Sequence, residues 1–513
     1  MTGNVRPGCL PIGAVRITDA ISSDDLRHYR LIIAATVIAL VLIRLIVAAK
    51  VPLAFDEALY WRWSQHLAAG YLDHPPMNPL LIRLGTALFG NDPFGVRVLS
   101  VLSGLPATWA VWRAGTILFR DERVGATAAL FFNLTLAMAV GSILATPDSP
   151  VMVASCFLLL ALAKLAQTGR GEWWLAVGAA FGLGMFSKYS MLFFAASMLA
   201  WVLIVPDMRK WLRSPWPWVG ALLALAIFSP VLVWNAEHGW ASVLYQAKRL
   251  VVHTLTLRYL GEFMLGQFGL AIPQIFVLGF MGLYGMMRFR AEPRSARVLI
   301  GALVWPIVIY FVWHSLHGRV QGNWPEPMIP ALVIAAAVAA ELLPWRGQAA
   351  WWALWSKRLA VPVGIGFAVC IDAQAMFAVV PLGKIDPTAR ALGAGWPALA
   401  RRIDTLRYRA GADVVLAQNY GLASWLDFYL PSHPPVEQIN GRMRYVNEPP
   451  PDSVLFKKPM LFVCRQPCAD ELSHRFGSVK QLAVLPRERR GVIIERYTIY
   501  RVADPRVPVL EKP

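Results

Sequence analysis

Four carboxylates stand in short polar stretches that interrupt long apolar runs. Two are adjacent, in Phe55-Asp56-Glu57-Ala58-Leu59-Tyr60-Trp61. The amphipathic segment they open closes on Tyr71-Leu72-Asp73-His74-Pro75-Pro76, and the fourth lies in Thr146-Pro147-Asp148-Ser149-Pro150. A carboxylate in a half-dry pocket has its pKa raised toward the range useful to a general base. Asp56, Glu57 and Asp73 are therefore candidates for acid–base chemistry. Simpler readings exist for the same residues. Asp56 and Glu57 suit the first turn of a helix, where the helix dipole favours acidic groups, and Asp148 in its Pro-flanked turn suits a helix cap.

Cations occur in similar places. Lys188, in Ser187-Lys188-Tyr189, lies between two apolar stretches. A buried Lys needs an anionic partner such as a phosphate or a carboxylate, unless its stem carries the ammonium to the interface. His74 either meets such an anion or caps a helix. The stretch 235–263 supplies Asn235, His238, Trp240, Gln246, Lys248, Arg249 and Arg258, and the turn 314–325 supplies Arg319, Gln321, Asn323 and Trp324. Asp372, inside an apolar run, reads instead as a structural partner for a neighbouring helix.

The elements that must position these groups are membrane helices. The chain has 513 residues, of which 57% are hydrophobic and 16% charged, against about 25% charged in ordinary soluble domains; its mean hydropathy is +0.49. Hydropathy and length predict an all-α polytopic protein with about eleven transmembrane helices. They fall near 31–49, 97–118, 124–143, 150–167, 173–187, 189–205, 217–234, 264–287, 298–314, 326–343 and 359–380. Residues 1–30 form a short segment before the first anchor, with no cleavable signal pattern. After Pro381 the patterning changes to short strand-like and helix-like stretches, so 381–513 reads as a small soluble α/β domain.

Alternating connections are rich in Arg and Lys, among them Arg113, Arg120 and Arg123, then Arg209, Lys210 and Arg213, then Arg288, Arg290, Arg294 and Arg297. These belong on the cytoplasmic side. The opposite connections, 50–96, 144–149, the turn at Lys188, 235–263, 315–325 and the whole tail, then face outward together. The net charge of +18 is spread over these turns rather than gathered in a stripe, which argues against nucleic acid as a partner. Of the five Cys, Cys9, Cys156 and Cys370 are isolated, while Cys464 and Cys468 are near enough to bridge if that region is exported. No phosphate-binding glycine loop, dinucleotide fingerprint, zinc-hydrolase pattern or nucleophile elbow is present in the sequence. The energy for chemistry should then arrive with the substrate.

In this order and spacing, Asp56-Glu57, Tyr71-Leu72-Asp73-His74-Pro75-Pro76, Thr146-Pro147-Asp148, Ser187-Lys188-Tyr189 and Gln321-Gly322-Asn323-Trp324-Pro325 resemble a known group. The chain is similar to bacterial members of the dolichyl-phosphate-mannose–protein mannosyltransferase superfamily, GT-C glycosyltransferases that include the lipid A aminoarabinose transferase. The resemblance covers most of 31–380, and the tail, through Ala417-Gln418-Asn419-Tyr420-Gly421 and Phe428-Tyr429-Leu430-Pro431, looks like the outer domain of the bacterial branch. It implies a polyprenyl-phosphate sugar donor, an envelope acceptor (lipid A or core saccharide, another glycan, a lipid or a protein), a periplasmic active site in the bacterial inner membrane, and inversion at the anomeric carbon. By position Asp56 looks like the family's catalytic acidic residue, with Glu57 beside it. Asp73-His74 falls where relatives often have an acidic residue followed by Lys, so His74 is a departure.

On this reading Asp56 is the general base, with Glu57 and Asp73 arranging the acceptor or tuning it. His74, Lys188, Arg249 and Arg319 would hold the donor phosphate. Tyr60, Trp240 and Trp324 would stack on sugar, and Asp148, Gln321 and Asn323 would bind sugar or acceptor polar groups. No cofactor is required by the sequence; a divalent ion, if one binds, would use Asp56, Asp73 or Asp148, although no diagnostic ligand spacing is present. Two rival readings are a transporter or flippase for a lipid-linked glycan and a non-catalytic membrane assembly protein.

Overall fold

The computed structural model describes residues 23–249 and 255–512, with side chains from Arg30 onward. The segment expected at 1–30, including Cys9, lies almost wholly outside the described residues, as does 250–254 of the polar stretch 235–263. Six helices among the described residues are long and apolar enough to cross a bilayer: Arg30–Lys50, Pro93–Phe119, Asp148–Thr168, Trp216–Glu237, Arg294–Ser315 and Gly347–Phe377. Three further apolar stretches are bent, by 62° between Glu122–Leu134 and Leu136–Ile143, by 114° between Tyr189–Ile204 and Pro206–Arg213, and by 100° between Arg258–Leu270 and Pro273–Arg288. Counted as single spans they raise the total to nine.

Every apolar run expected to span is thus helical, but the expected number of crossings is larger than length and composition support. The breaks have local causes. Pro206 and Pro273 each begin the element after a bend and have no N–H with which to continue the preceding helix. At the first bend Thr135 is extended, and its hydroxyl caps the next short turn by accepting from Met138 N. The runs at 173–187 and 326–343 yield helices of only 13 residues, Trp173–Met185 and Ile329–Glu341. At 1.5 Å per residue each covers about 20 Å, short of the roughly 30 Å hydrocarbon layer. Residues Ile329–Ala339 are buried on every side by other helices.

Small residues let these helices approach closely. A Cβ on Gly178 would overlap the Gly220 carbonyl, and one on Gly182 would meet the backbone of Ala224, so helix Trp173–Met185 lies directly against Trp216–Glu237. Inside the bundle Arg44 donates to the Asn133 side chain and carbonyl at 3.1 and 2.8 Å, and interacts electrostatically with Asp372. The structural pairing expected for Asp372 has a named partner.

The tail forms a five-stranded sheet of β1 (Val415–Ala417), β2 (Val436–Gln438), β3 (Met460–Cys464), β4 (Phe476–Arg489) and β5 (Val492–Pro505), in the order β2-β1-β3-β5-β4. β1 is parallel to both β2 and β3; β5 is antiparallel to β3 and β4. Strand alternation sorts the side chains. Val415, Ala417, Leu461, Val463 and Ile499 pack beneath helices Trp396–Arg409 and Tyr420–Tyr429, whereas Leu416, Met460, Phe462, Tyr500 and Val502 fill a core on the other face. Cys464 and Cys468 are joined by a disulfide at the end of β3.

This unit is fastened to the membrane part through helix Phe55–Gln65. Trp425 Nε1 donates to Leu53 O at 2.9 Å, and Leu53 N donates to the Tyr429 hydroxyl at 2.7 Å. Arg62 makes two hydrogen bonds to the Glu448 carboxylate, at 2.9 and 2.6 Å. The start of the same helix is held by a wholly buried ion pair. Arg97 grips Glu57 through two nitrogens at 2.7 and 2.5 Å and also donates to Val51 O and Pro52 O at the end of the first span. Glu57 in turn accepts from Ala54 N and Ala145 N, each at 2.9 Å. Removing either partner leaves a buried charge unpaired, at a cost of about 3–5 kcal/mol. Arg97→Met should accordingly lower the thermal unfolding temperature of the detergent-purified protein sharply; an unchanged midpoint would deny the pair this bracing role.

Candidate functional site

Helix Phe55–Gln65 begins with two acids that its geometry sends in different directions. Glu57 turns inward to Arg97, while Asp56 faces a cavity of about 750 Å³ at the junction of the bundle and the tail. The chain then doubles back through 66–73, where Tyr71 stacks on Trp63 with ring centroids 4.5 Å apart. The Tyr71 hydroxyl donates to the Trp63 and His66 carbonyls at 3.1 Å. That return places Asp73 and His74 on the same cavity as Asp56.

Asp148, at the start of its helix, is gripped by Lys188 in a short ion pair and accepts from Asn323 Nδ2 at 2.8 Å. Asp73 receives two bonds from Arg444, at 2.9 and 3.2 Å, and lies 4.0 Å from Arg249. Arg444 is steered by donation to the Tyr245 hydroxyl at 2.9 Å and by packing over the Tyr420 ring at 4.5 Å. Asp56 is different. Its one close polar partner among the described residues is the Tyr420 hydroxyl, at 3.4 Å. Burial above all, then the Asp73 charge, pushes the Asp56 pKa up to about 7, with Glu57 adding to the rise while the Tyr420 hydroxyl and Arg444 restrain it. A carboxylate so poised exchanges a proton near neutrality.

His74 moves the other way. Burial, aided by the Lys188 and Arg249 charges, lowers its pKa to about 4. Its ring stands edge-on to Tyr60 with centroids 6.0 Å apart, and its Nδ1 is buried without a partner among the described residues. The imidazole is therefore neutral and offers a hydrogen bond, not the positive charge expected for phosphate. Much of the remaining wall is apolar, with Leu192, Phe193, Phe228, Leu232, Tyr310 and Phe311 drawn from the spanning helices. Among the described residues no group of three or more His, Cys, Asp or Glu is placed to hold a metal ion; Asp56, Asp73 and Asp148 are met separately by Tyr420, Arg444 and Lys188.

Residues 73–234 match the family model described as dolichyl-phosphate-mannose-protein mannosyltransferase. The lipid A galacturonosyltransferase RgtD of Rhizobium johnstonii is 26% identical over 73% of this chain and 77% of its own length. An undecaprenyl phosphate-alpha-4-amino-4-deoxy-L-arabinose arabinosyl transferase of Pseudomonas fluorescens is 30% identical over about a third of each chain (33% and 32%). The crystal structure of ArnT from Cupriavidus metallidurans bound to undecaprenyl phosphate superposes with a TM-score of 0.63, at 16% identity, covering 95% of this chain and 99% of that one. The chain is similar to the GT-C glycosyltransferases in sequence over 73–234 and in fold over nearly its whole length.

Ten of the residues given a chemical role from the sequence share the large cavity: Asp56, Tyr60, Asp73, His74, Asp148, Lys188, Arg249, Gln321, Asn323 and Trp324; Asn235 and Gln246 line it too. They come from connections that the distribution of basic residues had assigned to one side, and their convergence agrees with that alternation. Three of those given a role do not line it. Glu57 is sealed in its pair with Arg97. Trp240 is 47% exposed, outside the wall. Arg319 pairs with Glu262 at 2.9 Å and lines a neighbouring cavity that meets the first at Arg249, Gln321 and Trp324. Three residues that complete the wall, Tyr245, Tyr420 and Arg444, were not among the sequence candidates.

The Asp148–Lys188 pair generates a signed expectation. Lys188→Met leaves the Asp148 charge buried with neutral donors and should cost about 3–5 kcal/mol of stability. Adding Asp148→Asn removes that charge and should recover much of the loss. Thermal unfolding across the double-mutant cycle checks this, and a double variant as unstable as Lys188→Met alone would show the two groups uncoupled.

Proposed function

We propose that this glycosyltransferase moves a sugar from a polyprenyl-phosphate carrier to a glycolipid acceptor of the bacterial envelope, of the lipid A or core saccharide class, at the periplasmic face of the inner membrane. The observation that carries the reading is the contrast within one cavity between an Asp56 carboxylate without a cation and the nearby Lys188, Arg249 and Arg444. The apolar wall offers a bed for prenyl carbons, and the polar end offers cations for the phosphate. Similarity to a lipid A galacturonosyltransferase and to an undecaprenyl-phosphate aminoarabinose transferase supports the donor and acceptor classes. The Cys464–Cys468 bridge and the basic turns on the opposite side favour export of the tail.

The phosphate leaves carrying its own charge, so the demanding step is activation of the acceptor hydroxyl. In the proposed scheme that oxygen attacks the anomeric carbon from the face opposite the phosphate. Asp56 takes the hydroxyl proton, the bond from the anomeric carbon to the phosphate oxygen breaks, and the configuration inverts. Arg249, Lys188 and Arg444 steady the departing phosphate. Asp73, by holding Arg444 and facing Asp56, sets the field in which the base works. Asn323, Gln321 and Trp324 stand where the sugar would lie.

Asp56→Asn should lower transfer from a polyprenyl-phosphate sugar by about 10²–10⁴-fold while leaving donor binding in place; near-normal turnover in a folded variant removes the proposed base. Arg249→Gln should instead weaken donor use by about 1–3 kcal/mol, seen chiefly in KM, and an unchanged KM would take Arg249 off the phosphate. The base must be ionised, so transfer should climb with rising pH through about 7 and level off above it. Asp73→Asn removes a negative neighbour that raises the Asp56 pKa and frees Arg444, which lowers it. The acid limb should then move to lower pH. A limb unmoved by this substitution would assign the titration to another group.

A further inference from the structure

Tyr420 borders two cavities. Its hydroxyl meets Asp56 in the large one, and it also borders a recess of about 260 Å³ between helix Phe55–Gln65 and the C-terminal sheet. Three arginines, Arg390, Arg465 and Arg487, line this recess against one carboxylate, Glu495. That carboxylate is already engaged: it accepts from Arg465 and from the Tyr497 hydroxyl. Arg390 is exposed and makes no ion pair among the described residues.

Arg487 is the anomaly. Its side chain is 2% exposed, Nε and Nη1 have no hydrogen-bond partner among the described residues, and Glu495 lies 3.7 Å from Nη2. Its guanidinium packs 5.3 Å from the centre of the Trp425 ring. Burial, reinforced by the Arg465 charge, holds its pKa below the ordinary value. A buried guanidinium with two idle nitrogens carries a desolvation penalty that an anion in the recess would offset. The first turn of helix Tyr420–Tyr429 also borders the recess, with Asn419 as its cap, and adds the positive end of a helix to the same space.

We propose that this recess binds a phosphate-class oxyanion, separately from the donor phosphate of the large cavity. Arg487 donates from within through Nε and Nη1, Arg390 closes from the solvent side, and Arg465 adds charge while bound to Glu495. The volume exceeds that of one phosphate, so the anion can be carried on a saccharide or a lipid headgroup. This assignment does not depend on the transfer reaction.

The test is a titration of inorganic phosphate into the full-length protein in phosphatidylcholine nanodiscs at constant ionic strength, read as a shift in thermal unfolding. A parallel arm compares nanodiscs with and without phosphatidic acid. A saturable stabilisation by either source is expected; response to phosphatidic acid alone marks a headgroup as the source. Arg390→Gln and Arg487→Gln should each weaken the response by about tenfold, whereas Arg401→Gln, exposed and outside both cavities, should leave it intact. If Arg487→Gln fails to fold, the exposed Arg390→Gln and Arg465→Gln carry the comparison. No response in either arm, or a response indifferent to Arg390→Gln, overturns the site. Loss with Arg401→Gln also overturns it, since the response would then follow net charge and not the recess. Loss of transfer in Asp56→Asn is read independently, so either idea can fall without the other.

Discussion

Arg97 and Glu57 are both withdrawn completely from solvent, and the bond between them fixes where everything else at the site can stand. The guanidinium also takes carbonyls at the end of the first span, and the carboxylate takes amides at 54 and 145. Four stretches of chain are therefore held at one point. Consecutive residues on a helix are turned by about 100° from one another. Anchoring Glu57 in the core thus directs Asp56 toward the cavity. One acid of the pair is held in the architecture, and its neighbour is left facing the cavity.

The same division recurs across the cavity. Asp148 is neutralised by Lys188 and Asp73 by Arg444, whereas Asp56 meets a neutral hydroxyl. Paired carboxylates keep their charge, and a buried one without a cation becomes readily protonated. Three aspartates within one wall are distinguished by what has been placed beside each of them.

Much of this was legible in the sequence, because apolar runs reveal a membrane helix wherever they occur and basic turns reveal which connections share a side. Asp56, Asp73, Asp148, Lys188 and Asn323 could be grouped on that basis before any contact was known. What could not be read are facts of docking. Arg444 reaches Asp73 across 371 residues, and Arg97 reaches Glu57 across 40; neither leaves a local pattern. Hydropathy also reports composition and not direction, so the bends at Thr135 and Pro273 passed as straight spans, whereas the run 189–205 ended before the bend at Pro206. His74 kept its place but not its charge, since burial beside two cations is a property of the assembled wall.

Arg444 and Tyr420 both belong to the C-terminal sheet unit, yet they contact Asp73 and Asp56 of the first connection in the membrane part. The cavity, a chamber with walls from both, is thus shared between two regions that look separable along the chain. Exchanging the tail for that of a distant cousin would remove a cation and a phenol from the chamber along with the sheet. Lineages that diversify their outer regions must therefore carry these two side chains forward, or rebuild the opposite bank at the same time.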